Sequence, residues 1–347
     1  MPAKDGRATL ATVAASAGVS VATVSKVVNG RADVAPETRA LVEAVLRRHD
    51  YVRRRTAPAR TTAATPRIEV LFAGDLNGYS LELIQGLLDA AAELSVALGV
   101  SVRAREHRRP HAFSAWARDL ATAGREAVIA ITDDLRASDL RALDRARLPL
   151  VVIDPLQQPH SRVTSVGSTN FAGGLEATRH LLSLGHRRIA YLGGPVAAAC
   201  NQARLQGFRA AMESAGRGVP DTYLRTGEYR FADGLAGGSA LLDLPEPPTA
   251  VFAGSDETAA GVIEAARLRG LRIPQDLSLV GFDDTQIARY ASPPLTTVRQ
   301  PLREIAVVAL RTALRLAAGE KLDSYHVELA TELIVRQSTA RVDVAPA

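Results

Sequence analysis

Residues 9–51 read TLATVAASAGVSVATVSKVVNGRADVAPETRALVEAVLRRHDY, and three helical patterns separated by short breaks run through them. Thr9 can cap a first helix whose apolar residues Leu10, Val13, Ala14 and Ala17 recur at i, i+3, i+4 and i+7, a single stripe. Gly18-Val19 breaks that pattern, and Ser20 is a ready N-cap for a second helix. There Val24, Val27 and Val28 form the side to be buried, and Ala22, Ser25, Lys26 and Asn29 share the opposite, exposed side. Gly30 supplies the stop. A third helix begins near Pro36 and runs through Leu41, Val45 and Leu46. Two short helices joined by a tight glycine turn form a helix-turn-helix, whose second helix enters a DNA major groove. Periodicity alone leaves a generic three-helix packing unit open.

Charge narrows the choice. Residues 1–67 hold twelve Lys or Arg against five acids, +7 for the segment. The whole chain is +5, which leaves −2 for residues 68–347. A basic head on a slightly acidic body is the electrostatic footprint of a nucleic-acid-binding module joined to something else. At 347 residues, 47% hydrophobic and 23% charged, the chain is long and apolar enough for more than one folded unit. Its one cysteine, Cys200, excludes an internal disulfide framework and a multi-cysteine zinc site. Met1–Leu10 carries Lys4, Asp5 and Arg7 and no apolar core, so no secretory leader is expected. No apolar run approaches the ~18–20 residues of a membrane span. A cytoplasmic protein is the expectation.

Residues 52–67 hold Pro58, Pro66 and five arginines, and read as a basic linker. Beyond it, apolar runs alternate with helical patterns. Strands are expected at Ile68–Phe72, Val128–Thr132, Leu148–Ile153, Ile189–Leu192, Ala250–Ala253 and Leu277–Phe282. Helices are expected at Leu81–Leu98, Gly173–Leu184, Ala203–Ala215, Thr258–Arg269 and Pro301–Ala318. Apolar strands alternating with helices argue parallel sheets covered on both faces, and about 280 residues argue two lobes. The fold class expected is a small all-α helix-turn-helix head (1–51) plus an α/β core of two doubly wound parallel-sheet lobes (68–347). Polar residues recur just after the strand runs: Asn77 and Tyr79, Asp133, Asp154, Ser255 and Asp256, Asp283 and Asp284. Singly each reads as a cap or turn residue, Asp256 and Asp284 most of all. As a set they mark a crevice at the carboxyl ends of the strands.

The head resembles the DNA-binding head of the lac repressor (LacI/GalR) family of bacterial transcription regulators, most specifically in VSVATVSKVVNG. The resemblance implies base reading by Val21, Ala22 and Lys26. It implies phosphate contact or positioning by Thr9, Ser20, Thr23, Ser25, Asn29 and Thr38. Ala35 stands where the family usually has a capping serine. The segments Val163–Pro195, Ala250–Thr285 and Ser292–Pro301 resemble the family's effector-binding core, which is periplasmic-binding-protein-like, with two lobes linked by three crossovers. That places the N-lobe at about 68–165 and 296–325 and the C-lobe at about 166–295 and 326–340. Arg204 then matches an arginine that grips effector hydroxyls or carboxylate, and Asp283 a hydroxyl-binding aspartate. Ser255 sits where several sugar-binding members have asparagine, and Tyr79 near a ligand-stacking aromatic. With Asp133 and Asp154 these make up the expected effector set.

Enzymatic signatures are lacking: no GxxxxGK[ST], no HExxH and no GxSxG. His107 and His111 in "EHRRPH" read as a solvated basic loop. The function expected is a sequence-specific regulator, a homodimeric repressor on a pseudo-palindromic double-stranded operator, with a sugar-type effector and no cofactor. A purine or a protein partner as effector, and a ligand-binding module or sugar enzyme without a DNA role, are the alternatives. The tail QSTARVDVAPA has no leucine heptads to build a tetramer. The family's hinge helix inserts a leucine into the minor groove, yet no leucine lies between Arg47 and Val70, and Pro58 interrupts the segment. Arg53, Arg54 and Arg55 are instead expected to follow the minor groove as a flexible basic arm.

Overall fold

The computed structural model describes residues 10–28, 34–48, 65–72, 76–103, 110–132, 135–156 and 163–342. The chain divides into two compact units between Ala64 and Thr65. The smaller contains helices α1 (Leu10–Ala17), α2 (Val21–Val28) and α3 (Pro36–Arg48). Their shared core is Val13, Ala14, Ala17, Val24, Val27, Val42 and Val45. The third helix buries Val42 and leaves Leu41 half exposed.

The larger unit holds two sheets. Its first lobe runs β1 (Arg67–Phe72), α4 (Gly78–Leu94), β2 (Ala97–Val102), α5 (Pro110–Thr122), β3 (Ala127–Ile131), α6 (Ala137–Ala146), β4 (Leu150–Ile153) and β5 (Thr164–Ser168). The chain then crosses into α7 (Asn170–Ser183), β6 (Ile189–Gly193), α8 (Ala199–Ser214), β7 (Leu224–Thr226), α9 (Phe231–Leu242) and β8 (Ala250–Ala253). After α10 (Asp256–Leu268), β9 (Ser278–Asp283), α11 (Gln286–Tyr290) and β10 (Thr296–Arg299) it returns to the first lobe as α12 (Leu302–Ala317) and β11 (His326–Leu329). It crosses once more to end on β12 (Glu332–Ile334). The strand orders are β11-β5-β4-β3-β1-β2 and β12-β10-β9-β8-β6-β7. All pairs are parallel except β10 with β12.

Alternation along fully buried strands sets the layers. Ala127, Ile129 and Ile131 of β3 face α4 and α12, and Val128 and Ala130 face α5 and α6. In the second sheet Ala250 and Phe252 of β8 face α7 and α8, and Val251 and Ala253 face α9 and α10. Helices α7 and α8 cross at two glycines. A Cβ on Gly174 would sit 2.3 Å from the Arg204 carbonyl oxygen, and one on Gly207 2.2 Å from that of Phe171.

Several sequence boundaries move. The helix expected over Leu81–Leu98 ends at Leu94, where Ser95 caps it with φ 54°, and Ala97 and Leu98 begin the edge strand β2. Pro110 and His111 open α5 and are not loop. The N-lobe sheet keeps the chain to Ser168; Thr296–Arg299 belongs to the C-lobe sheet and His326–Leu329 to the N-lobe sheet. The three crossovers therefore lie at residues 168–170, 299–302 and 329–332. They sit three or four residues later than resemblance placed them, because each crossover strand completes its ladder before leaving. Among the described residues no helix is long and apolar enough to cross a membrane.

The glycine crossing yields a test. Gly174→Val should force α7 from α8 and destabilise the larger unit by roughly 1–3 kcal/mol, read as a lowered urea midpoint with unchanged m.

Candidate functional site

In the small unit, Ser20 caps α2: its Oγ accepts from the Thr23 N–H at 3.1 Å and lies 2.8 Å from Thr23 Oγ1. That cap fixes the first turn, so Val21 and Ala22 stand exposed at the helix start, and Lys26 is exposed one turn after Ala22. Thr23 and Ser25 are half-buried beside them, as is Thr38 on α3. Ala35 precedes α3 and offers only its carbonyl, which accepts from Arg39 N–H at 2.9 Å. Thr9, Asn29, Arg53, Arg54 and Arg55 lie outside the described residues.

In the large unit, both sheets reverse strand order between adjacent parallel strands, β1 beside β3 and β6 beside β8. Loops leaving such a switch point diverge and open a crevice. There a cavity of about 440 Å³ is lined by Tyr79, Thr132 and Asp154 from the first lobe and Cys200, Arg204, Tyr229, Ser255 and Asp283 from the second. Five of the six expected effector residues thus meet; Asp133 lies outside the described residues, and its neighbour Thr132 lines the wall. Of the seven non-glycine residues described with positive φ, four line this cavity: Thr132 (45°), Asp154 (44°), Tyr229 (62°) and Asp283 (114°). Such backbones cost about 1–3 kcal/mol each and collect where geometry serves a purpose other than stability.

Arg204 is 4% exposed. Its Nε donates to Asn170 Oδ1 at 2.7 Å and its Nη1 to the Gly254 carbonyl at 2.5 Å, with Asp283 Oδ1 at 3.9 Å. The guanidinium carbon sits 3.7 Å from the Phe282 ring centre and 5.5 Å from that of Tyr229. Asp283 Oδ1 accepts from Gln300 Nε2 at 2.6 Å, and Gln300 Oε1 accepts from Ser168 Oγ at 2.5 Å. Asn170 and Ser168 belong to the first crossover and Gln300 to the second. The third is stitched to the first by Thr331 N–H on Thr169 Oγ1 at 3.0 Å. Across the cavity, Tyr79 donates to Asp154 Oδ2 at 2.5 Å.

Ser255 lines the cavity but spends its hydroxyl on capping α10, accepting from Thr258 N–H at 3.1 Å and donating to Thr258 Oγ1 at 2.9 Å. Asp256 accepts from Thr285 N–H, Thr285 Oγ1 and Thr297 Oγ1, and Asp284 binds Arg299 and Arg336. Both are structural ties, as their positions imply. Sequence reasoning passed over Tyr229, which follows the three-residue strand β7, and Gln300, which follows β10 in the motif TTVRQP. For Gln300 the signal, a polar side chain directly after a strand, was hidden because TTVR does not read as a strand.

Burial raises the carboxyls. Asp283 is pushed up to about 7, with Arg204 and Gln300 opposing. Asp154 is raised by burial against the hydrogen bond from Tyr79 and the charge of Arg204. Burial, then Asp154, holds the Tyr79 phenol well above its ordinary value. The floor is thus an array of carboxyls with one guanidinium, suited to vicinal hydroxyls that donate to the former and accept from the latter.

Comparison with known proteins bears on both units. Residues 9–54 match "Bacterial regulatory proteins, lacI family", and residues 178–339 match "Periplasmic binding protein-like domain". The chain is 32% identical over 334 residues to the HTH-type transcriptional regulator DegA of Bacillus subtilis (strain 168), covering 96% of this chain and 98% of DegA. A solved complex of the transcriptional regulator CelR with cellobiose superposes with a TM-score of 0.72 at 30% identity, covering 96% of this chain and all of that one. The lac repressor dimer bound to operator and the anti-inducer ONPF gives 0.69 at 26% identity, covering 96% and 99%.

A pH dependence follows from Asp283. Its folded value lies above the ordinary 3.8, so the folded protein holds that proton more tightly than the unfolded chain. The contribution is fully present below about 4 and is lost as pH rises through about 7. Asp283→Asn should therefore flatten the fall of unfolding free energy between these limits, measured by denaturant titration at each pH.

Proposed function

The chain belongs to the lacI family of bacterial regulatory proteins, and from that footing we propose that it represses carbohydrate-utilisation genes under the control of a sugar bound between its two core lobes. As a member it is a DNA-binding transcription regulator and not an enzyme. The observation that carries the sugar reading is the Arg204–Asp283 pair in the interlobe cavity, each partner hydrogen-bonded to a crossover residue. A ligand gripped by both lobes favours one interlobe angle, and operator affinity and effector affinity are then reciprocally coupled. The cellobiose complex of CelR, similar along 96% of this chain, supports a saccharide.

On DNA, Val21 and Ala22 would approach base edges, their apolar side chains suited to thymine methyl groups, and Lys26 would donate to guanine. Ser20, Thr23, Ser25 and Thr38 would position the helix on phosphates, with Thr9 and Asn29. Two heads need a dimer for a pseudo-palindromic operator. Support for pairing lies in exposed apolar side chains on the first lobe: Leu81 and Leu88, two turns apart on one face of α4, and Val100 and Val102 on the edge strand β2.

Three measurements test these roles. Lys26→Ala should abolish preference at one base pair of each half-site at a cost of roughly 1–3 kcal/mol; unchanged preference with uniformly weaker binding makes it a phosphate contact. Asp283→Ala should leave operator binding intact and remove the sugar response, followed by anisotropy of a labelled operator; calorimetry showing normal sugar affinity excludes the role. Replacing Arg53, Arg54 and Arg55 with alanine should reduce the salt slope of operator binding by about 0.9 for each phosphate no longer neutralised, and an unchanged slope leaves the arm as a tether.

A further inference from the structure

We propose that the cavity takes its sugar as the free, uncharged polyol and rejects the phosphate ester or acid of the same ring; this rests on the sugar-effector reading above. The charged side chains described along the lining are Asp154, Asp283, Glu228 and Glu257 against Arg204 and Arg230. The acids outnumber the bases: Glu228 is exposed and Glu257 half-buried, while Asp154 and Asp283 are 5% and 6% exposed. The latter two already resist ionisation, so a second negative charge beside them costs either repulsion or their protonation. Arg204 is the only buried base among these. Its charge already serves Asp283, its Nε and Nη1 are taken by Asn170 and Gly254, and aromatic rings flank its plane. Nη2 is left to the cavity, enough for a hydroxyl oxygen. Arg230 lies exposed at the rim and carries interactions of its own.

A phosphate ester brings a charge of about −1.5 to −2 at neutral pH. Burying it demands a matching cation or a dense set of N–H donors, such as a bidentate guanidinium. The described lining offers neither. The first turn of α8, which reaches the lining at Cys200, carries a helix-terminus charge of about +0.5, and Asp154 on the facing lobe opposes it. A hydroxyl meets no such conflict, since it donates to a carboxylate and accepts from Nη2 without net charge. The class of reaction that supplies this effector follows: glycoside hydrolysis, or uptake that leaves the sugar unphosphorylated, ahead of any kinase step.

The test is calorimetry of the full-length protein against neutral mono- and disaccharides, each paired with its 6-phosphate and 6-carboxylate. For every sugar that binds, the charged partner is expected to bind at least about tenfold more weakly, the scale of one unfavourable charge pair at short range. Glu228→Gln combined with Glu257→Gln should narrow that ratio. A phosphate ester binding as tightly as its parent sugar overturns the inference and leaves the effector reading standing. Silence from every sugar in every form overturns the effector reading, and the inference falls with it.

Discussion

One primary amide, that of Gln300, holds the core's working parts in register. It is 3% exposed, donates to Asp283 in the cavity and accepts from Ser168 in a neighbouring crossover. A primary amide donates through its nitrogen and accepts at its oxygen at once, in fixed directions and without charge. Losing either partner would strand a buried polar group, a penalty of about 1–3 kcal/mol. A change at the Asp283 carboxylate, in charge or in partner, is therefore felt one hydrogen bond away at the segments that set the angle between the lobes. Arg204 reaches the first crossover just as directly, through Asn170.

The chemistry of the cavity floor and the cost of building it have one origin. Carboxyls placed among apolar strand ends resist ionisation, and the backbone that aims them adopts left-handed conformations at Asp154 and Asp283. Aspartate tolerates that region better than most residues. The sheets supply the surplus stability that such a floor consumes, through strands such as Ala127–Ile131, buried at every position.

This same contrast explains what could be read from the chain beforehand. Strands β3, β6, β8 and β9 are nearly continuous apolar runs, and their alternation with helices made two sheets and a crevice legible. The head was legible because Val13, Val24 and Val27 recur at helical spacing and Ser20 is a cap. The crossover strands escaped notice because TSVGS, TTVR, HVEL and ELI are short and polar. They escaped for physical reasons: β5 and β10 are buried yet carry polar groups such as Ser168 that bond across the joint, and β11 and β12 are partly exposed. Edge strand β2, ALGVSV, was lost for a related reason, since Val100 and Val102 face solvent and its first residues extend the helical pattern of α4. At the site, resemblance singled out Arg204 and position after a strand singled out Asp283, but only three dimensions show that Ser255 spends its hydroxyl on a cap.

The glycine crossing of α7 and α8 has a mechanical meaning. With Gly174 pressed to the backbone of Arg204, no side chain separates the two helices at that crossing to deform under load. Interiors this close-packed transmit displacement instead of absorbing it. Helix α7 begins at Asn170 in the first crossover, so Arg204, packed on Gly174 and bonded to Asn170, is held to the joint at its backbone and at its side chain. A soft packing there would absorb a shift of Arg204 within the second lobe; this one leaves no slack for it.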